Sequence, residues 1–265
     1  AGVYAGDDAL ICDVDSYQIS DALASDYSSL LWITSGTGSF DNNAIMNPVY
    51  TPSPNDIDDG FVILSLTAYG MASCPDTTDQ MVLNITDSPA VYAGSDQTIC
   101  EGDNLALNEA SASEYASLVW TTTGDGSFSD ISALNPVYTP GPSDILTSQL
   151  SLILTANANV PCDDISDTLD LFISPAPSAY AGADDAICQG NSFALDLATA
   201  DNYSSLLWST SGTGSFNDPT GLNPVYTPSE SDIIDGAVTL LLTVTAIDPC
   251  ENIADSLILE IISAA

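Results

Sequence analysis

The stretch 205–216 reads SLLWSTSGTGSF, a run of apolar residues around Trp208 that stops at Gly212-Thr213-Gly214. Aliphatic and aromatic residues bounded by glycine are typical of a strand that ends in a turn. Nearly the same twelve residues occur at 29–40, SLLWITSGTGSF, and at 117–128, SLVWTTTGDGSF. The chain therefore contains one β-rich pattern three times.

The copies are 88 residues apart along the whole 265-residue chain. The spacing is kept by tryptophan at three positions, Trp32, Trp120 and Trp208. A fixed period identifies a repeat architecture, and we divide the chain into three domains, residues 1–88, 89–176 and 177–265. No copy has a divergent capping sequence, and Ala265 falls at the phase of Pro89. We therefore expect an interior segment of a longer array.

The third copy shows the strands of one repeat. Residues 192–197 alternate apolar and polar side chains, which predicts a half-buried strand. Residues 237–245 form a long apolar and β-branched run that we place in the centre of a sheet. Residues 223–228 are bounded by prolines and predict an edge strand or a strand that switches sheets. Further strands are expected at 205–210 and 256–261.

These strands and their turns predict an all-β fold of three tandem immunoglobulin-like β-sandwich repeats, with about seven strands in each. The pairs Leu30 and Trp32, and Leu64 and Leu66, are expected to face inward from their strands. Residues 201–204 and 229–233 each predict a single helical turn with an N-cap. Short junctions containing prolines, such as Pro89 and Pro177, predict repeats stacked end to end as a rod.

The chain has no Lys, Arg or His against 37 acidic residues, for a formal net charge of −37. Such a chain cannot neutralise phosphates, so we expect no nucleic-acid partner. Repulsion from anionic lipid predicts no direct membrane contact. Without imidazole, Ser-His-Asp and Cys-His catalysis are excluded. Because 45% of residues are hydrophobic, the chain is expected to fold despite its charge.

Each repeat has two cysteines, 62 positions apart. The simplest pairing is within repeats, as Cys12–Cys74, Cys100–Cys162 and Cys188–Cys250, with each bridge at one end of its sandwich. The alternative is reduced, buried thiols. Zinc ligation would favour C-x-x-C pairs, which the sequence lacks. Disulfides indicate an oxidising compartment and therefore an exported protein.

Aspartates recur at fixed positions of the repeat. Most are expected to serve turns and caps, because Asp bonds its own nearby backbone. The alternative is Ca²⁺, which takes carboxylate and carbonyl oxygens. The candidate ligands are one set expected to approach the preceding repeat at the junctions, Asp8, Asp96 and Asp184, and a second set in 55–59 and its equivalents, Asp56, Asp144 and Asp232. No cofactor is required by the fold; Ca²⁺ at repeat junctions is the one candidate.

Two further motifs have structural and functional interpretations. The Gly-x-Gly pairs beginning at Gly36, Gly124 and Gly212 lack the Lys and helix of a phosphate loop, so we interpret them as turns or bulges that need positive φ. One tyrosine per repeat, next to serine in a predicted loop, either packs at the rim of the core or stacks on a sugar: Tyr27, Tyr115 and Tyr203.

Four recurring runs are complete in the third copy: Tyr-Ala-Gly-x-Asp from Tyr180, Ile-Cys at 187–188, LLWSTSGTGSF at 206–216 and NPVYTPSESDI at 223–233. Together they resemble giant repetitive surface proteins of the Bacteroidota, in particular the SprB-like gliding adhesins. The resemblance covers all three repeats. It implies long tandem arrays exported to the cell surface, with a role in adhesion or gliding motility.

These observations together predict a non-enzymatic, extracellular structural segment of a filament or adhesin stalk on a bacterial surface. Its expected partners are neighbouring repeats of the same chain and identical filament strands. The alternative is an adhesive module whose repeats bind a glycan or a surface, with or without Ca²⁺. Trypsin-like proteases have no cleavage site, because Lys and Arg are absent.

Overall fold

The computed structural model describes residues 1–263. Ala265, whose position in the repeat predicted a longer array, lies outside the described residues. The first repeat contains these elements: β1 Gly2–Tyr4, β2 Ala9–Cys12, β3 Tyr17–Gln18, β4 Leu23–Ser25, β5 Tyr27–Thr34, β6 Ser39–Phe40, β7 Val49–Thr51, α1 Pro54–Asp59, β8 Phe61–Gly70 and β9 Thr77–Thr86.

The second repeat contains the equivalent ten: β10 Ala90–Tyr92, β11 Gln97–Cys100, β12 Leu105–Ala106, β13 Ser111–Ser113, β14 Tyr115–Thr122, β15 Ser127–Phe128, β16 Val137–Thr139, α2 Pro142–Thr147, β17 Gln149–Ala158 and β18 Ile165–Ser174. The third contains β19 Ser178–Tyr180, β20 Asp185–Cys188, β21 Phe193–Ala194, β22 Thr199–Asp201, β23 Tyr203–Thr210, β24 Ser215–Phe216, β25 Val225–Thr227, α3 Glu230–Asp235, β26 Ala237–Ala246 and β27 Ile253–Ile262.

Each repeat is built from three sheets. In the first repeat these are a four-stranded sheet in the order β2-β9-β8-β5, a three-stranded sheet β3-β7-β6 and the pair β1-β4. Strand β2 runs parallel to β9, while β9-β8 and β8-β5 are antiparallel. The other two repeats have the same order and directions. The predicted all-β sandwich is confirmed, with nine strands per repeat in the described part of the chain.

The three cores are separate. One cluster of buried residues draws on residues 5–85, the second on 93–173 and the third on 181–259. In the first, Leu30, Trp32, Leu64 and Leu66 are all buried, as predicted. The ring of Phe40, on the three-stranded sheet, lies 5.8 Å from that of Trp32 on the four-stranded sheet. Aromatic packing of this kind joins the two sheets across the core.

Two strand predictions are settled by the sheet order. The run 237–245 lies in β26, which is central in its sheet, as predicted. The run 223–228 was predicted to be an edge strand or a strand that switches sheets. The edge assignment is wrong, because β25 lies between β21 and β24. Pro224 and Pro228 lie just outside β25, so neither removes a donor from the ladder.

Helical turns form at one of the two predicted segments. Residues 229–233 begin α3, and the Ser229 side chain caps it by accepting from the Asp232 N–H. Residues 201–204 form no helical turn: Asn202 has φ 55° and separates β22 from β23. None of the helices in residues 1–263 has the length and apolar character needed to cross a membrane.

Candidate functional site: the boundaries between repeats

Two disulfides join neighbouring repeats. Cys12 in the first repeat is bonded to Cys162 in the second, and Cys100 in the second to Cys250 in the third. Both bridges span 150 positions of sequence, and both have a Cα–Cα distance of 4.9 Å. The rule is therefore that the first cysteine of one repeat bonds the second cysteine of the next.

The predicted pairing within repeats is wrong for all four bonded cysteines, and the predicted clamp at one end of each sandwich is wrong too. The reason is strand direction. Cys12 ends β2 and lies beside Thr86, the last residue of β9, because the two strands are parallel. Cys74 precedes Thr77, the first residue of β9. The ten residues of β9 separate the two ends by about 30 Å, whereas a disulfide needs Cα atoms within about 7 Å.

Each repeat therefore has one cysteine at either end of its sandwich, and the two remaining thiols fit this arrangement. Within residues 1–263, Cys74 and Cys188 are the cysteines without a disulfide, and both are exposed. Cys74 occupies the repeat position of Cys162 and Cys250, whereas Cys188 occupies that of Cys12 and Cys100.

The linkers are fastened to the same loops as the disulfides. Three residues, 87–89, connect β9 to β10. Within them, the Ser88 N–H and hydroxyl both donate to the Asp13 carboxylate, at 3.1 and 3.2 Å. At the next boundary the Ala176 N–H donates to Glu101 Oε2 at 3.1 Å. Asp13 and Glu101 directly follow bridged cysteines. At each boundary the disulfide between repeats therefore lies beside a hydrogen bond that holds the linker to the preceding repeat.

The first set of predicted calcium ligands does not lie at the boundaries. Asp8, Asp96 and Asp184 each use Oδ1 to accept a backbone N–H from the last long strand of their own repeat. The donors are Val82, Asp170 and Ile258, at 2.8–2.9 Å. The expectation that these carboxylates approach the preceding repeat is therefore wrong. They fasten the loop before the parallel strand to its neighbour in the sheet.

The second set is buried inside the repeats. Asp56, Asp144 and Asp232 are at most 1% exposed. Asp232 accepts four hydrogen bonds, from the backbone N–H groups of Thr213, Gly214 and Ser229 and from the Tyr226 hydroxyl, at 2.7–3.0 Å. Asp56 and Asp144 have the equivalent four donors. A buried carboxylate is stable without a basic partner when donors surround it in this way.

We call this arrangement the aspartate hub: the buried Asp, its tyrosine, the Gly-x-Gly turn and the helix N-cap. The hub has the same four donors in all three repeats, and its residues differ at two linked positions in repeat 2. Repeat 2 has Gly141 where the others have a capping serine, and Asp125 where they have threonine. Asp125 Oδ1 accepts the Asp144 N–H at 3.2 Å, which replaces the bond that Ser229 makes to Asp232 in repeat 3.

The ionisation of the hub follows from its donors. Burial raises the pKa of Asp232, but the hydrogen bonds from the Ser229 backbone, the Tyr226 hydroxyl and the Thr213 backbone outweigh it and lower the pKa to about 2. Burial, with the hydrogen bond to the carboxylate, raises the pKa of Tyr226 to about 12. In repeat 3 the hub is therefore a neutral phenol, Tyr226, donating to an ionised carboxylate, Asp232, across the ordinary pH range.

The Gly-x-Gly turns need glycine for a reason other than the predicted positive φ. None of their glycines has positive φ. Instead, a Cβ on Gly36 would overlap the Asp56 carboxylate, and a Cβ on Gly38 would overlap the Tyr50 hydroxyl. These turns need glycine because their backbone N–H groups approach a buried carboxylate closely.

The hub leaves no open coordination position for Ca²⁺ at Asp56, Asp144 and Asp232. In the hub, O–H and N–H donors occupy the carboxylate oxygens that a cation would need. Within residues 1–263, the one group of three potential ligands close enough to share an ion is Cys12, Asp13 and Cys162. Its two sulfurs are bonded to each other.

The three tyrosines considered for sugar stacking differ in exposure. Tyr27 and Tyr203 pack against the cores of their repeats. Tyr115 is 37% exposed. The first two therefore have the rim-packing role that was the structural alternative.

No protein-family model matches the sequence, and no curated protein matches it. Among solved structures, the chain is similar to three immunoglobulin domains of titin, with 10% identity, a TM-score of 0.54, and coverage of 98% of this chain and 96% of that one. It also matches extracellular domains 22–24 of mouse cadherin-23 (12% identity, TM-score 0.41, 97% and 96% covered) and immunoglobulin domains 1–4 of Sidekick-1 (11%, 0.41, 98% and 75%). The titin match shows a fold of three tandem immunoglobulin-like domains.

Proposed function

We propose that this chain is a non-enzymatic structural segment of a long extracellular filament or stalk on a bacterial surface. The observation that carries the proposal is the pair of disulfides between repeats. A bridge inside a repeat stabilises that repeat, whereas Cys12–Cys162 and Cys100–Cys250 fix each repeat to its neighbour. Repeats fixed in this way transmit force along the chain as a rod.

Two properties of the chain support an extracellular location. Disulfides persist in oxidising environments outside the cytosol. A chain with 37 acidic and no basic residues also repels other copies and anionic cell surfaces, which keeps extended rods separate. The resemblance to gliding adhesins of the Bacteroidota agrees with an extracellular location. A role in gliding is part of the proposal.

The environment of the recurring buried carboxylates supports a non-enzymatic role. The buried hub carboxylates are enclosed by donors and have no open coordination position. The same arrangement occurs three times along one chain, which suits a structural unit.

The proposal is tested by immunogold labelling and cryo-EM of cells that produce the protein, using an antibody raised against residues 1–265. We expect labelled surface filaments whose axial repeat equals one repeat length, about 35–45 Å for sandwiches of this strand length. Label confined to the cytoplasm, or surface label without filaments, would contradict the proposal. A glycan array with the same chain distinguishes the adhesive alternative, which requires saturable binding that a stalk lacks.

A further inference from the structure

We propose that this chain pairs side by side with a second copy of itself through the outer faces of the four-stranded sheets in repeats 1 and 3. The outer face is the side of each four-stranded sheet that points away from the core. The pairing adds a partner to the proposed stalk, and it follows from the surface of these sheets independently of that function.

The outer face of repeat 3 carries a stripe of three exposed aliphatic side chains. Leu207 on β23, Leu241 on β26 and Ile258 on β27 are 51%, 37% and 48% exposed. They alternate with buried residues of the same strands, so they point away from the core. Leu241 lies diagonally between the other two, because its partners on the neighbouring strands are Ser209 and Ser256. Diagonal neighbours are within reach of long side chains, so the three form one apolar stripe.

Repeat 1 has a similar stripe, whereas repeat 2 has a carboxylate in it. In repeat 1, Ile63 on β8 pairs with Val82 on β9 and lies diagonal to Ile33 on β5, which is 53% exposed. The repeat position of Val82 and Ile258 is occupied in repeat 2 by Asp170. Burying an unpaired carboxylate in a contact is costly, so we assign the contact to repeats 1 and 3.

The distribution of charge indicates which partner fits this surface. Within residues 1–263, the outward positions on the strands of the four-stranded sheets hold two of the 37 acidic residues, Asp170 and Glu260. A surface with so little charge attracts no basic partner, and a second copy that presents its own outer face meets the least repulsion. The same patch on both copies gives a closed, two-fold contact. The charges on the other surfaces then keep one pair separate from the next.

The area of the faces sets the strength of the pairing. One four-stranded sheet, with eight to ten residues in each of its three long strands, presents about 500 Å² at a strand spacing of about 4.8 Å. One face on each copy therefore buries about 1,000 Å² in total, the lower limit for a specific interface, and two faces on each bury about 2,000 Å². We therefore expect stable pairing to need both repeats.

The test measures the mass of the purified chain by sedimentation equilibrium, with the exposed Cys74 and Cys188 thiols alkylated. We expect a reversible equilibrium between 27.4 kDa and twice that mass. Because each copy has a charge of −37, the dimerisation constant should rise about tenfold or more between about 0.05 M and about 1 M salt, where the screening length falls to about 3 Å.

The matched variants use residues that the protein already has at equivalent positions. Val82→Asp and Ile258→Asp introduce the carboxylate that repeat 2 has as Asp170. Each should lower the dimerisation constant about tenfold or more, because pairing would bury an unpaired charge. The control is Leu197→Asp, at an exposed position outside the four-stranded sheets where repeat 1 has Asp21. At about 1 M salt its charge is screened and should change the constant less than about twofold.

Asp170→Ile is the converse variant, because it gives repeat 2 the residue of repeat 3 and should strengthen the pairing several-fold. A chain that stays monomeric at about 1 mM protein would overturn the proposal and leave the face to a different partner. A dimer that Val82→Asp and Ile258→Asp leave intact, or that Leu197→Asp weakens equally, would overturn it too. None of these results bears on the labelling experiment, which tests the stalk on its own.

Discussion

Inside each repeat, a carboxylate such as Asp232 is held by donors within 19 positions of it, whereas at each boundary a bond such as Cys100–Cys250 joins residues 150 positions apart. The hub is noncovalent and local, so each repeat can form it alone. The boundary bond is covalent and needs two folded repeats. Stability of each repeat and covalent attachment between repeats therefore depend on different residues, and each can be changed without the other.

The largest expected effect is on the extension of the chain under force. With both bridges intact, the shortest covalent path from Cys12 to Cys250 is the 62 positions between Cys100 and Cys162. Without them it is 238 positions. At about 3.5 Å per residue, full extension is about 220 Å when oxidised and about 830 Å when reduced. Optical-tweezers contour lengths with and without reductant measure this difference.

Single-bridge variants sharpen the same measurement. Each of the variants Cys162→Ser and Cys250→Ser keeps one bridge, and the shortest covalent path from Cys12 to Cys250 then contains 88 positions of chain. These positions run from Cys12 to Cys100 in the first variant and from Cys162 to Cys250 in the second. Both should extend to about 310 Å. Unequal values, or oxidised protein that extends as far as reduced protein, would mean that the repeats are bridged differently.

The next largest effect is at the hub. Asp232→Ala should destabilise repeat 3 by about 3–5 kcal/mol, because it leaves three backbone N–H groups and the Tyr226 hydroxyl without their acceptor. Chemical denaturation followed by tryptophan fluorescence gives the free energy of unfolding. The control is Asp235→Ala in the same helix, where an exposed carboxylate at the C-terminal end makes its loss neutral or slightly stabilising. A similar loss in both variants would contradict a stabilising role for the hub.

Acid should weaken the hub by a smaller amount. The folded pKa of Asp232, about 2, lies below the unfolded value near 4, so the stabilisation is present above about pH 4 and is lost as pH falls through 2. The shift corresponds to about 2 kcal/mol. Unfolding free energies of the natural chain and Asp232→Asn are compared over this range. The difference between them should shrink by that amount; a constant difference would contradict the prediction.

The smallest effect is expected from Tyr226→Phe, about 1–2 kcal/mol, because three of the four donors to Asp232 remain. Tyr180→Phe is the control, since the Tyr180 side chain is 47% exposed and belongs to no hub. Thermal unfolding of both variants measures the loss. An equal, small shift in the two melting temperatures would show that the phenol does not hold the carboxylate.

The repeats were predictable from sequence because burial has a local signature. Period-two patterns and 88-residue spacing gave the sandwich and the inward faces of Leu64 and Leu66. Strand direction has no such signature: the parallel pairing of β2 with β9 joins residues 74 positions apart. Without knowledge of this strand direction, Cys12 and Cys74 could not be placed at opposite ends of the sandwich. Even numbers of cysteines also fit the pairing within repeats as well as the pairing between them.

The hub was missed for a related reason. Asp56, Gly36 and Tyr50 recur at fixed phases, and the recurrence was visible, but it fits a metal ligand and a buried hydrogen-bond acceptor equally well. The joint recurrence of Asp, Gly-x-Gly and Tyr distinguishes these two interpretations. In each repeat a carboxylate, two close N–H groups and a phenol keep the same spacing. The correlated change to Gly141 and Asp125 in repeat 2 is a second such signal.

The staggered bridges also determine how the molecule responds to damage. Three lengths of polypeptide each connect the Cys12–Cys162 bond to the Cys100–Cys250 bond: 12–100, 100–162 and 162–250. One broken peptide bond anywhere from Cys12 to Cys250 leaves the other two lengths intact, and the molecule stays in one covalent piece. To part the two bridges, a protease must cut all three lengths.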